Sequence, residues 1–140
     1  YEDIMTKFIL LAVTAAAFAA PAAAQDAAAG EKAFGKCKAC HSVVAPDGTE
    51  IQKGGRPGPN LYGISGRPVA SDPDHSYGES LAALGATGAV WDAASFAAYV
   101  ADPAAYLKSA LGDDGAKSKM SFKLASGAED IAAYLSSVSQ

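Results

Sequence analysis

The sequence is short of the side chains that bind metals: it has two cysteines, two histidines and two methionines. A structural zinc centre needs four ligands, and only Cys37, Cys40, His41 and the distant His75 offer sulfur or nitrogen. Excess positive charge is absent too. Eleven Lys and Arg face 15 Asp and Glu, a formal net charge of -4, which argues against general nucleic-acid binding. Beyond residue 24 no apolar run is long enough to span a bilayer. No internal repeat occurs, and no stretch alternates convincingly as a strand. The expected fold class is therefore all-α with long loops.

The first segment that is plainly present is a leader. Met5 and Lys7 form a short positive region, Phe8 to Phe18 is apolar apart from Thr14, and Pro21 precedes Ala22-Ala23-Ala24. Charged start, apolar middle and small-residue exit make a secretory signal peptide. Cleavage is expected after Ala24, with export to the periplasm and no membrane span afterwards. The rival reading, an uncleaved anchor, sits poorly with the Ala-x-Ala exit. Tyr1-Glu2-Asp3-Ile4 precede the natural-looking start and are read as an artefact without function. Residues 1–24 are thus leader and artefact, and 25–140 one small domain.

Within that domain Asp26 can cap a first helix running to about Cys40, with Gly30, Phe34 and Cys37 near one face. Glu79 to Leu84 is a short helix candidate. Asp92 caps Ala93 to Ala101, and Asp102-Pro103 restarts a helix with Pro at its first position. Ser126 and Glu129 suit a capping box, ahead of a buried stripe of Ile131, Tyr134, Leu135 and Val138. Between His41 and Tyr77 the chain is rich in Gly and Pro, with at most a helical turn at Asn60 to Ile64. So long a structureless stretch is unusual inside one domain. A large prosthetic group would organise it.

Cys37-Lys38-Ala39-Cys40-His41 supplies the attachment point for one. Cys-x-x-Cys-His is the c-type haem signature. Each thiol adds to one vinyl group, and two intervening residues let both reach adjacent edges of one porphyrin. His41 follows directly, under the iron. A thiol–disulfide redox motif would normally sit in a βαβ pattern, which this chain lacks, and a plain disulfide leaves His41 unexplained. The expected cofactor is one haem c, covalent through Cys37 and Cys40, with its iron. By elimination Met120 is the sixth ligand, because it is the only methionine after residue 24 and lies in a polar loop without a core stripe to join. A Met that merely plugs a gap is the bland alternative. His75 is the rival ligand, in what reads as an exposed turn beside Asp72, Pro73 and Asp74.

From Gly30 to Tyr134 the chain resembles the class I cytochromes c, and within them the large cytochrome c2-like periplasmic type related to mitochondrial cytochrome c. Gly30 and Phe34 match the family's first-helix packing pair, which meets the last helix near Ile131 and Tyr134. Gly58-Pro59-Asn60-Leu61-Tyr62-Gly63-Ile64-Ser65-Gly66-Arg67 matches its Gly-Pro-Asn-Leu-x-Gly-x-x-Gly-Arg segment. The resemblance implies three to five helices and long loops wrapped around one haem. It implies that the Pro59 carbonyl accepts the Nδ1 proton of His41. Arg67, Tyr77 and Trp91 would bond the haem propionates, Tyr99 would sit behind Met120, and Ser118 would lie near the inner propionate. Two stretches, Ser42 to Arg56 and Leu107 to Ala116, are longer than in the mitochondrial relatives. His75 stands where an aromatic is common.

With both axial positions filled by protein, substrate binding at iron is disfavoured and outer-sphere electron transfer is the task left. The expected protein is a monomeric one-electron shuttle between respiratory or photosynthetic membrane complexes and reductases, not an enzyme. Its partners would dock transiently at a basic haem-edge face of Lys36, Lys38, Arg56, Lys117, Lys119 and Lys123, with acidic residues in other segments. The alternatives are an open-haem enzyme or sensor, and a haem subunit of a larger redox complex.

Overall fold

In the computed structural model, which describes residues 25–140, helix α1 (Ala27–Ala33) starts where its cap predicts. The Asp26 carboxylate accepts from the amides of Ala28 and Ala29 at 2.9 and 3.1 Å. The helix is shorter than the sequence suggests. It tightens into a 3-10 turn, Phe34–Lys36, closed by Cys37 N–H donating to the Phe34 carbonyl at 2.8 Å. One further turn, His41 N–H to Cys37 O at 2.9 Å, brings His41 round beneath the two cysteines. The expected signal peptide lies in residues 1–24, outside the described residues.

The absence of strands needs correcting. Val43–Val44 (β1) and Glu50–Gln52 (β2) pair antiparallel, with an irregularity between Val43 and Val44. Strands of two and three residues are too short to show an alternating pattern. The rest is helical, in keeping with the expected class: α2 (Glu79–Ala86), α3 (Ala93–Ala101), α4 (Pro103–Leu111) and α5 (Ala128–Val138). Asp92 and Ser95 cap α3 reciprocally at 2.7 and 2.9 Å. Asp102 caps α4 through the Ala105 amide, with Pro103 at the first position. Asn60 to Ile64 forms a tight turn, not a helix, with Ile64 N–H donating to Leu61 O.

The capping box expected at Ser126 and Glu129 does not form. Gly127, left-handed at φ 86°, is the residue before α5, so the register moves by one and the third helical residue becomes Asp130. Its carboxylate accepts from the Asp26 amide at 2.9 Å and ties the starts of α1 and α5 together. These two helices form the main packing pair. At Gly30 a Cβ would overlap the Asp130 carbonyl, so only glycine allows this approach. Phe34 packs tilted on Tyr134, ring centroids 6.0 Å apart. Phe34, Ile131 and Leu135 are fully buried, each contributing about 1.5–3 kcal/mol of apolar burial. The Gln52 amide donates to Tyr134 Oη at 2.8 Å and joins β2 to this pair.

Candidate haem-binding site

The two-helix base positions the turn that carries Cys37, Cys40 and His41, and three glycines press it into place. Side chains at Gly54 and Gly55 would overlap the carbonyls of His41 and Ala39, and one at Gly58 would overlap the His41 ring. Gly58 N–H donates to Cys40 O at 2.8 Å, and the next carbonyl, Pro59 O, lies 2.9 Å from His41 Nδ1. Nδ1–H donating to Pro59 leaves Nε2 with the free lone pair. Asn60 anchors this arm to β1: its side chain accepts from Val44 N–H at 3.0 Å and donates to Val44 O at 2.8 Å. His41 is buried. Burial holds its pKa below the ordinary imidazole value, against the opposing Pro59 bond, with a further small lowering from His75. The neutral ring that results is the metal-binding form. Burial likewise pushes the Cys37 thiol up, with Cys40 adding to it and Lys36 opposing. Cys37 and Cys40 are both free.

Met120 lines the same cavity as this arm. Its amide donates to Ser118 Oγ at 3.1 Å, and Ser118 Oγ lies 3.4 Å from Tyr99 Oη. Tyr99 and Trp91 pack together at 5.1 Å, and Tyr106 closes the cluster from behind. Burial raises the Tyr99 pKa, with the Ser118 contact opposing; the phenol is a neutral donor at any ordinary pH.

The shared cavity is mostly apolar, with about 220 Å³ open to the centre of a water-sized sphere. Every site residue expected from the sequence lines it: Cys37, Cys40, His41, Pro59, Arg67, Tyr77, Trp91, Tyr99, Ser118 and Met120. Leu61, Ile64, Leu81, Phe96 and Val100 complete the wall. Sequence reading passed over these five because one apolar residue in a loop or helix looks like any other core position. Arg67 Nη1 donates to the carbonyls of Asn60 and Tyr62 at 3.0 and 3.1 Å, while its buried Nε has no acceptor among the described residues. Tyr77 Oη accepts from the Asp72 amide at 3.1 Å and keeps its own proton to donate. His75 closes the expected turn, whose tip at Pro73 and Asp74 is exposed, but its own side chain is not solvated. It is half-buried, stands edge-on to Tyr77 at 4.7 Å and lines the same cavity. Lys123 is bridged to Asp102 at 2.8 Å, so its charge is partly balanced.

Comparison with known proteins decides the family. The chain is 57% identical over 134 residues to cytochrome c2 of Rhodobacter capsulatus, covering 94% of this chain and 98% of that one. The chain belongs to the cytochrome c2 family of class I c-type cytochromes. The solved structure of the Rhodobacter capsulatus cytochrome c2 matches with a TM-score of 0.80 and 56% identity, covering 82% of this chain and 99% of that one. Ferric cytochrome c-550 of Paracoccus versutus matches at 0.81 and 47% identity, covering 84% and 100%. No protein-family model matches the chain. Cytochromes of this kind carry one covalent haem c with its iron and are electron-transfer proteins, not enzymes, and the chain shares both properties.

The residues present fit that group. Both free thiols and the neutral His41 open onto one apolar cavity. The glycine at position 58 lets the backbone lie against the imidazole. The orphaned Nε of Arg67 supplies a cationic donor that a buried carboxylate would satisfy.

Proposed function

We propose that this cytochrome is an exported, periplasmic one-electron carrier whose haem c would be attached through Cys37 and Cys40, with His41 and Met120 as the residues that would hold its iron. The single observation that carries the reading is that all four residues line one apolar cavity, with His41 Nδ1 already engaged by Pro59. When bound, the haem iron takes up and releases one electron. The protein does the rest. The Pro59 carbonyl fixes the tautomer of His41 and makes Nε2 a better donor. The Met120 thioether favours ferrous iron and so raises the potential into the range of electron-transfer cytochromes. Arg67, Tyr77 and Trp91 would hold the propionate carboxylates, whose buried charge needs such donors. Tyr99 and Ser118 steady the Met120 backbone and back the thioether.

Lys36, Lys38, Arg56, Lys117 and Lys119 are exposed and lie at or beside cavity-lining residues. They support a basic face for transient docking by a monomer, steering encounter without tight binding. Lys123, partly balanced by Asp102, contributes less than the others. Phe122, 45% exposed at the cavity edge, adds an apolar contact. Export rests on the leader read from residues 5–24, and among the described residues no helix is long and apolar enough to cross a membrane. The test is spectroscopic. Protein matured with haem should show covalent attachment by mass, one reversible one-electron wave, and no carbon monoxide binding when reduced. Carbon monoxide binding at neutral pH would mean an open iron and a different function.

A further inference from the structure

The segment carrying Met120 is anchored in the core at both ends, by Ala116 and Leu124, and reaches across the cavity between them. Towards Leu124 it is held by the fold itself: Leu124 is buried and its amide donates to Val100 O at 2.8 Å. Towards Lys117 it is anchored by buried Ala116 and held across the cavity by the segment that starts α2. Lys117 N–H donates to Ser80 Oγ at 2.9 Å, and Lys119 Nζ donates to Ser76 O at 3.0 Å. The Lys119 stem lies along Gly78, where a Cβ would stand 3.2 Å from its Cγ. The residues around both halves of this contact line the cavity, Tyr77, Gly78 and Leu81 from one segment and Lys117 to Phe122 from the other. The segment's other side-chain contacts are Ser118 to Tyr99, long at 3.4 Å, and the exposed Lys123–Asp102 pair near the Leu124 end.

We propose that Ser80 and Lys119 form a clasp that keeps the Met120 segment closed over the cavity, with Ser80 as a positioning residue for the distal ligand. The proposal rests on Met120 being that ligand. Lifting the Lys117–Met120 stretch breaks two hydrogen bonds to residues 76–80 and the long Ser118–Tyr99 contact, while buried Ala116 and Leu124 stay anchored. The clasp therefore sets how often the thioether leaves the iron, and how well a small nitrogen base competes for the vacated position. Lys119 then acts as more than a docking charge, because its ammonium also holds the segment closed.

The experiment is titration of the ferric holoprotein with imidazole, following loss of the weak red absorption of thioether-bound ferric haem. One neutral hydrogen bond shifts a closed–open equilibrium about fivefold. Ser80→Ala should raise imidazole affinity about fivefold, and Lys119→Ala, which removes a charged but solvent-exposed and screened donor, by a similar factor. The double variant should exceed either single variant, with about 25-fold, the product of the two, as the upper bound for neighbouring bonds. Ser80→Thr, which keeps the hydroxyl, should stay within about twofold of wild type, as should Lys123→Ala, which loses only an exposed ion pair. Unchanged affinity in Ser80→Ala, alongside a large gain in Met120→Ala, would overturn the clasp and leave the ligand assignment standing. If Met120→Ala itself left both the absorption and the imidazole affinity unchanged, the ligand assignment would fall and the clasp with it. Equal gains in Ser80→Thr and Ser80→Ala would also overturn the proposal, because the hydroxyl would not be the cause.

Discussion

Replacing Gly58 by alanine tests the proximal wall most sharply. The residue has no left-handed backbone to strain, so its role is close approach alone. An added methyl would overlap the His41 ring, and either the imidazole or the Gly58–Asn60 arm must move. The Gly58 amide is bonded to Cys40 O and the next carbonyl to His41 Nδ1, so either movement strains a short hydrogen bond. Overpacking costs about 1–3 kcal/mol, and leaving a buried partner unsatisfied costs about 1–3 kcal/mol more. We expect a loss of about 2–6 kcal/mol, which for a domain this size lowers Tm by roughly 8–24 °C. The potential should rise, because an imidazole without its Pro59 bond donates less strongly to ferric iron. Gly35→Ala is the control, since nothing lies within 4 Å of a Cβ there. Differential scanning calorimetry and redox titration of both variants decide the matter. A Gly58→Ala protein with wild-type Tm and potential would refute the close-approach argument.

Three further expectations concern the frame and the surface. Tyr134→Phe removes the acceptor of the buried Gln52 amide and should cost about 1–3 kcal/mol in chemical denaturation; Gln52→Leu in the same background should recover part of that loss. The Asp92 carboxylate is held below its ordinary pKa chiefly by the Ser95 amide, then by the Ser95 side chain. Its stabilisation is thus present above the unfolded-state pKa and is lost as pH falls through the lower folded one. Asp92→Asn keeps a capping group that does not titrate, so its Tm should fall less steeply below about pH 4 than wild type, and identical slopes would contradict the cap assignment. Oxidation of the reduced protein by ferricyanide should slow at low salt in Lys117→Glu, where only the backbone amide serves the clasp, and much less in Glu129→Lys, with both differences shrinking as salt rises; equal effects in stopped flow would mean that net charge governs encounter.

How far the chain could be read in advance follows from how local each signal was. Asp92, Asp102 and Pro103 act within one helical turn, and the helices they start are where they indicate. The Cys37–His41 spacing is equally local, and its residues meet in one cavity. Signals failed where a neighbour in space intervened. Gly127 took the left-handed turn, and Asp130 was drawn to the Asp26 amide, so Ser126 and Glu129 could not pair. Helix α1 stopped at Ala33 because the tightened turn, which returns His41 under the cavity, competes with further helix. The β1–β2 pair was too short to leave a pattern. His75 looked solvated beside two aspartates, but its edge-on contact with Tyr77 places it in the cavity wall. Ser80 gave no signal at all, because a serine early in a helix is ordinary and its partner lies 37 residues away.

The central claim is that Met120, together with His41, completes the coordination of the haem iron. Its most direct test is equilibrium redox titration of the holoprotein beside Met120→Ala and His75→Ala. The account predicts that Met120→Ala keeps the haem covalently attached, loses the thioether absorption of the ferric state and drops strongly in potential, while His75→Ala keeps the wild-type spectrum. An unchanged potential in Met120→Ala, with the native spectrum lost in His75→Ala, would contradict it and move the ligand role to His75.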